Sequence, residues 1–69
     1  MVFNYSKLRG RIKEICNTQD IFAEKMELSN TSLSYKLNNA VPFTQEEIYK
    51  AVIILGISPI EINEYFFTK

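Results

Sequence analysis

The sequence predicts an all-α fold, a compact bundle of five short helices that forms a single domain over residues 1–69. Apolar residues recur at helical spacing along the chain, and no stretch shows the apolar–polar alternation of a half-buried strand. Capping residues precede the helical stretches. The chain is short enough for one domain, and its hydrophobic content of 46% is ample for one small core.

The first helix is predicted over residues 5–16. Its apolar positions share one helical face: Tyr5, Leu8, Ile12, Ile15 and Cys16. Asn4 or Ser6 can cap its start. Gly10 either weakens this helix slightly or permits close packing, and the sequence leaves both open.

Residues 18–39 predict two short helices joined by a tight turn. The first covers residues 19–26 and the second residues 30–38, with Thr18 and Ser29 as their N-caps. The two residues between the helices leave room only for a corner. Such a pair forms a helix-turn-helix unit, whose second helix enters the DNA major groove.

This segment resembles the helix-turn-helix of lambda-repressor-like proteins, the class of phage repressors, Cro proteins and bacterial Xre-type relatives. The matching residues are Thr18, Gln19, Ala23, Glu24, Lys25, Met26, Ser29, Thr31, Leu33, Leu37 and Asn38. The resemblance continues at Phe43, Thr44, Glu47, Ile48, residues 55–58, Glu61 and Ile62, so it covers roughly residues 5–67. Glu27 and Asn39 depart from it, because relatives often have Gly there. Both positions favour a positive φ, which Asn accepts more readily than Glu.

The fourth and fifth helices follow a loop that contains Pro42. Thr44 and Glu47 form a capping box in front of a helix over residues 45–55, which Gly56 ends. Ser58 and Glu61 repeat the capping pattern, with Pro59 at the first helical position of a helix over residues 59–66.

The composition argues against an enzyme, a metal site and a cofactor site. The chain has no histidine, no ligand set with metal spacing and no glycine-rich phosphate loop. Its one cysteine, Cys16, lies on the apolar face of the first helix and is expected to be a buried core thiol. We find no secretory signal and no apolar run long enough for a membrane, so we expect a cytoplasmic protein without membrane contact or a small-molecule substrate.

The charges of the chain give evidence both for and against DNA binding. Eight basic and eight acidic residues leave no net charge, which argues against a nucleic-acid binder. Residues 1–36 hold six basic groups against four acids, and residues 37–69 hold two against four. A molecule polarised in this way can turn its positive half to DNA.

One face of the predicted recognition helix carries hydroxyls, amides and one aromatic, and no acid that would repel phosphate. These residues are Asn30, Thr31, Ser34, Tyr35 and Asn38, which we predict to contact DNA bases. The resemblance implies this role first for Asn30 and Thr31, because side chains early in the helix make the base contacts in the family. The alternative is a solvated polar face.

Four more residues are predicted to contact the DNA backbone: Gln19, Lys36, Arg9 and Arg11. Gln19 opens the preceding helix, where relatives hold a phosphate. Lys36 lies on the flank of the recognition helix, and an ordinary solvated lysine fits the pattern equally well. Arg9 and Arg11 belong either to a phosphate-contacting patch or to the solvated side of the first helix.

Apolar residues near the C-terminus exceed what a short helix can bury. We predict a homodimer interface centred on residues 65–67 and formed by Tyr49, Ile53, Tyr65, Phe66 and Phe67. Proteins of this class gain specificity by placing two recognition helices one DNA turn apart. The alternative is a small auxiliary core beneath the C-terminus.

The leading hypothesis is therefore a sequence-specific transcription regulator that binds double-stranded operator DNA as a homodimer. The resemblance implies a small phage or prophage protein, a Cro-like repressor. The alternative hypothesis is that the same fold binds a protein, as an anti-repressor, antitoxin or adaptor, and makes no contact with DNA.

Overall fold

The computed structural model describes residues 2–69 as an all-α bundle, which confirms the predicted fold class. The helices are α1 (Ser6–Cys16), α2 (Gln19–Met26), α3 (Asn30–Leu37), α4 (Gln45–Leu55) and α5 (Ile62–Phe66). A 3₁₀ turn, Pro59–Glu61, precedes α5 and replaces the first turn of the predicted fifth helix. The other predicted bounds agree within one residue. No helix within residues 2–69 is long and apolar enough to cross a membrane.

Each of the five helices contributes one completely buried side chain to a single core. These residues are Leu8, Phe22, Leu33, Leu55 and Phe66, each at most 1% exposed. Burying one such side chain stabilises the fold by about 1.5–3 kcal/mol. The core therefore fixes where the α2–α3 pair lies relative to the other helices.

Two positions that helical spacing predicts to be buried, Ile15 on the first helix and Ile21 on the second, are exposed. Ile15 and Ile21 are 43% and 39% exposed, whereas Phe22, the neighbour of Ile21, is fully buried. Consecutive residues of a helix differ by about 100° in direction, so Ile21 and Phe22 cannot both point into the core. The larger side chain takes the core position.

The helix starts follow the predicted capping chemistry. The hydroxyls of Thr18 and Ser29 each accept a backbone N–H three residues ahead, both at 3.1 Å. At α4 the box is complete, since Glu47 N donates to Thr44 Oγ1 at 3.1 Å and Thr44 N donates to Glu47 Oε1 at 2.8 Å. At α1, Asn4 Oδ1 accepts the Ser6 N–H at 2.9 Å.

The turn between α2 and α3 adopts the expected left-handed conformation. Glu27 has φ 60°, and the Leu28 N–H donates to the Ala23 carbonyl at 2.9 Å. A small side chain is expected where the two helices cross, and Ala23, at that position of the sequence, is 2% exposed.

Asn39, with φ 65°, holds the N-terminal segment against the end of α3. Its side-chain amide donates to the Phe3 carbonyl at 2.9 Å and accepts the Phe3 N–H at 2.8 Å. The Asn4 N–H donates to the carbonyl of Thr68 at 2.6 Å. Residues 3–4 are thus bound between the end of α3 and the C-terminus.

Candidate recognition surface on the third helix

The outer face of α3 presents three exposed side chains from the predicted base-contact set. Asn30, Thr31 and Tyr35 are exposed, and Tyr35 retains 54% of its accessible surface. The inner face buries Leu33 and Leu37 in the core. The face is uncharged, and its largest side chain is aromatic.

Asn38, the C-cap of α3, is also exposed, and Ser34 is half-buried; both are bonded within the protein. Asn38 Oδ1 accepts from Arg9 Nη2 at 3.0 Å, and Asn38 Nδ2 donates to Ser34 Oγ at 3.3 Å. Arg9 Nη2 also lies 3.3 Å from the Leu37 carbonyl, to which it donates. Arg9 therefore fastens the C-terminal end of α3 to α1, and its guanidinium stays beside the recognition surface.

The structure corrects the expectation that Lys36 reaches a phosphate. Its side chain is 9% exposed, and its ammonium lies 2.9 Å from a carboxylate oxygen of Glu47 on α4. The ammonium also donates to the Pro42 carbonyl at 3.2 Å. Burial alone would raise the pKa of Glu47, but hydrogen bonds from Thr44 N and Lys36 outweigh it and lower that pKa.

Arg11 also bonds to groups within the protein, which corrects its predicted contact with the DNA backbone. Its Nε donates to the Leu55 carbonyl at 3.0 Å, and its Nη1 pairs with Glu14 at 2.9 Å. The side chain therefore holds the end of α4.

Gln19, at the start of α2, is half-buried. It lines a surface cavity of 160 Å³ together with Arg9, Lys13, Asn17, Ile12 and Leu37.

Sequence reasoning missed Val41 as an exposed residue of the loop after α3. The N–H groups of Ala40 and Val41 both approach the Tyr35 carbonyl, at 2.8 and 3.4 Å. Val41 is 42% exposed and lines a surface cavity together with Phe3, Phe43 and Phe67. The sequence does contain a signal for this position, because Val41 is an apolar residue in a loop, directly before Pro42.

The predicted dimer interface is divided by the fold. Tyr65 and Phe66 are 7% and 1% exposed, so they belong to the core and cannot be the centre of an exposed interface. Phe43 contacts the Phe66 ring edge-on at 5.4 Å between centroids, and the Lys7 ammonium lies 4.9 Å from the centroid of the Tyr65 ring. Tyr49, Ile53 and Phe67 remain exposed.

The described residues hold no grouping of three or more His, Cys, Asp or Glu side chains that could bind a metal ion. Cys16 is a buried free thiol, as expected. The arrangement on α3 offers hydrogen bonds and apolar contact.

A family model described as "Protein of unknown function (DUF739)" matches residues 1–69. The chain belongs to the DUF739 family. Its fold is similar to the solution structure of the modulator of repression (MOR) of the temperate bacteriophage TP901-1 from Lactococcus lactis, with a TM-score of 0.84. The two sequences are 46% identical, and the match covers 97% of this chain and 90% of that chain. No curated protein matches the chain.

This DUF739 protein thus shares its fold with a phage protein that is named for a regulatory role. At 46% identity the likeness extends beyond the fold to the sequence. The narrower assignment to the Cro or Xre type stays a prediction.

Proposed function

We propose that this DUF739 protein is a phage regulator that modulates repression by binding a repressor protein through the exposed face of α3. The name of its structural relative supports a role in repression. Repression can be modulated by contact with the repressor or with its operator. The distribution of charge around α3 favours the repressor.

The observation that carries this proposal is that many basic side chains form ion pairs within the protein. Four of the eight form ion pairs within the chain: Lys7 with Glu64, Arg11 with Glu14, Lys36 with Glu47 and Lys50 with Glu27. The remaining cations near α3 share the surface with exposed acids on α2, Asp20 and Glu24. DNA affinity comes largely from neutralised phosphates, and this surface has little net charge to offer.

The side chains on α3 suit a protein ligand. Protein interfaces are depleted in charge at their centre and enriched in aromatic residues, Tyr among them. Tyr35 offers an exposed aromatic contact, and Asn30 and Thr31 on the same helix offer hydrogen bonds. Tyr35 is the side chain expected to contribute most to binding.

Operator DNA is the second candidate, because Arg9, Lys13 and Gln19 surround one hollow beside α3. In that case, the amides and hydroxyls of α3 read base edges and the cations contact phosphates. A homodimer would bind the operator, with Tyr49, Ile53 and Phe67 as the exposed residues of its interface. In this case Lys36 and Arg11 make no contact with the DNA, because both are bonded within the protein.

The test is a pair of titrations by fluorescence anisotropy, one against the repressor of the same phage and one against its operator DNA, each at two salt concentrations. We expect binding to the repressor with modest salt dependence, and weakening by about 1–3 kcal/mol in Tyr35→Ala. Ile60→Ser is the matched control, since Ile60 is 90% exposed and lies outside α3. Binding to the operator alone, with steep salt dependence and loss in Lys13→Ala, would instead establish the DNA candidate.

A further inference from the structure

A second surface, between the end of α2 and the outer side of α4, has no role in the function proposed above. It is an open groove of 670 Å³, within the range of about 300–1,000 Å³ that is typical of binding clefts. None of its lining residues lies on α3. We refer to it as the α2–α4 groove.

The floor of the α2–α4 groove is apolar. Met26 and Leu28 line its α2 side, and Tyr49 and Ile53, one turn apart, line its α4 side. Tyr49 and Ile53 are 71% and 63% exposed, so their apolar surface is not covered by the rest of the chain. Apolar side chains at i and i+4 form a stripe that suits a helix laid along α4. Methionine is adaptable in shape and is common on surfaces that bind helices.

The rim of the groove is acidic. Its lining includes three glutamates, Glu27, Glu46 and Glu47, and one lysine, Lys50. Glu27 pairs with Lys50 and Glu47 with Lys36, so the negative charge that is not neutralised lies at Glu46. Glu27 has a side chain that is 80% exposed, and Glu46 is exposed without an ion pair inside residues 2–69. The C-terminal end of α2 also borders the groove, and the dipole of a helix places partial negative charge there.

Lys50 shows what this rim binds. Its ammonium lies 3.2 Å from a carboxylate oxygen of Glu27 and donates to the Met26 carbonyl at 3.4 Å. One cation is thus already held between a rim carboxylate and the end of α2. A cation from outside the chain meets the same chemistry at Glu46, where the carboxylate is free.

We infer that the α2–α4 groove binds a basic amphipathic helix of a partner protein, with apolar side chains on Tyr49 and Ile53 and Lys or Arg side chains on Glu46 and Glu27. The unpaired Glu46 carboxylate selects a cationic occupant over a second copy of the chain, since two copies would bring two such carboxylates to the same groove. This site is separate from α3, so it stands or falls independently of the function proposed above.

The test uses two synthetic peptides of about five helical turns, roughly 18 residues. Both carry Leu on one face, and they differ in having Lys or Glu along its borders. Each is titrated into the ¹⁵N-labelled protein, and amide chemical shifts are followed. We expect only the Lys peptide to bind, with the largest shifts at Met26, Leu28, Tyr49 and Ile53.

Variants separate the apolar contribution from the charge. Ile53→Ser should weaken Lys-peptide binding by about tenfold, and Glu46→Gln should weaken it while reducing its salt dependence. Ile60→Ser is again the matched control and should bind as the parent does. Equal binding of the two peptides, or shifts confined to other surfaces, would overturn the inference.

Sedimentation velocity of the free protein tests the competing occupant. We expect a monomer at the concentrations used for NMR. A dimer that Tyr49→Ser converts to monomer would show that a second copy fills the groove, and that result would also overturn the inference.

Discussion

Replacing Glu47 by glutamine removes the negative charge that faces the Lys36 ammonium and keeps a side chain of the same shape. Glutamine still has an oxygen that can accept the Thr44 N–H, so the start of α4 keeps its cap. The same oxygen, like the Pro42 carbonyl, can still accept from the Lys36 ammonium, so the substitution removes the opposite charge and keeps the acceptors. The substitution therefore isolates the energetic role of the ion pair between α3 and α4.

The structure sets the size of the effect. Removing one partner of a buried ion pair costs about 3–5 kcal/mol. Here the side chains are 9% and 19% exposed, so water screens part of the charge and the expected cost is about 2–3 kcal/mol. A domain of this size loses roughly 4–8 °C of melting temperature per kcal/mol, so Glu47→Gln should melt about 10–20 °C below the parent.

Thermal and urea unfolding followed by circular dichroism measure this difference. Glu14→Gln is the control, because its ion pair with Arg11 is largely exposed and should change stability by less than about 1 kcal/mol. The double variant Lys36→Met/Glu47→Gln should recover stability, since it leaves no unpaired charge. If Glu47→Gln melted within roughly 4 °C of the parent, Lys36 would be solvated and available to phosphate, and the charge argument against DNA would lose its main support.

Three further predictions follow from local contacts. Ala23→Leu should destabilise the fold by about 1–3 kcal/mol, because it adds volume at a fully packed helix crossing, and an unchanged melting temperature would refute that placement. Asn39→Ala should cost about 1–3 kcal/mol and speed amide hydrogen exchange at Phe3, since it removes both bonds that hold residue 3. Because the pKa of Glu47 lies below its ordinary value of 4.5, its contribution is present above that pH and is lost as the pH falls through the folded-state pKa. Acid titration of unfolding should therefore show a steeper loss in the parent than in Glu47→Gln, and parallel curves would contradict the assignment.

Helix bounds and caps could be predicted from the sequence because they depend on residues three or four positions apart. Thr44 and Glu47 illustrate this, since both halves of their capping box form as the spacing predicts. Glu27 illustrates it for the turn, where two short helices leave one residue to take a positive φ. At these positions, the spacing of nearby residues was sufficient to predict the backbone conformation.

Contacts between helices could not be predicted in this way. The spacing places Lys36 on a flank of α3, but only the packing of α4 brings Glu47 to within 2.9 Å of it. Asn39 was expected to end a helix, and its side chain also binds Phe3, 36 residues away. Tyr65 and Phe66 seemed too many apolar residues for one short helix, yet Phe43 from the loop packs on Phe66 and Lys7 from α1 lies over Tyr65.

The same ion pairs that fix the helices also determine how this protein can meet a ligand. A paired cation and carboxylate nearly cancel each other beyond the Debye length, about 10 Å at moderate salt. Lys36 on α3 and Lys50 on α4 are paired in this way, so they contribute little long-range attraction for a polyanion. Recognition by α3 must then depend on short-range contact, and Tyr35 is its largest exposed side chain. Short-range contact with an aromatic centre is how protein surfaces recognise one another, which is why the charge distribution, more than the fold, favours a repressor over its operator.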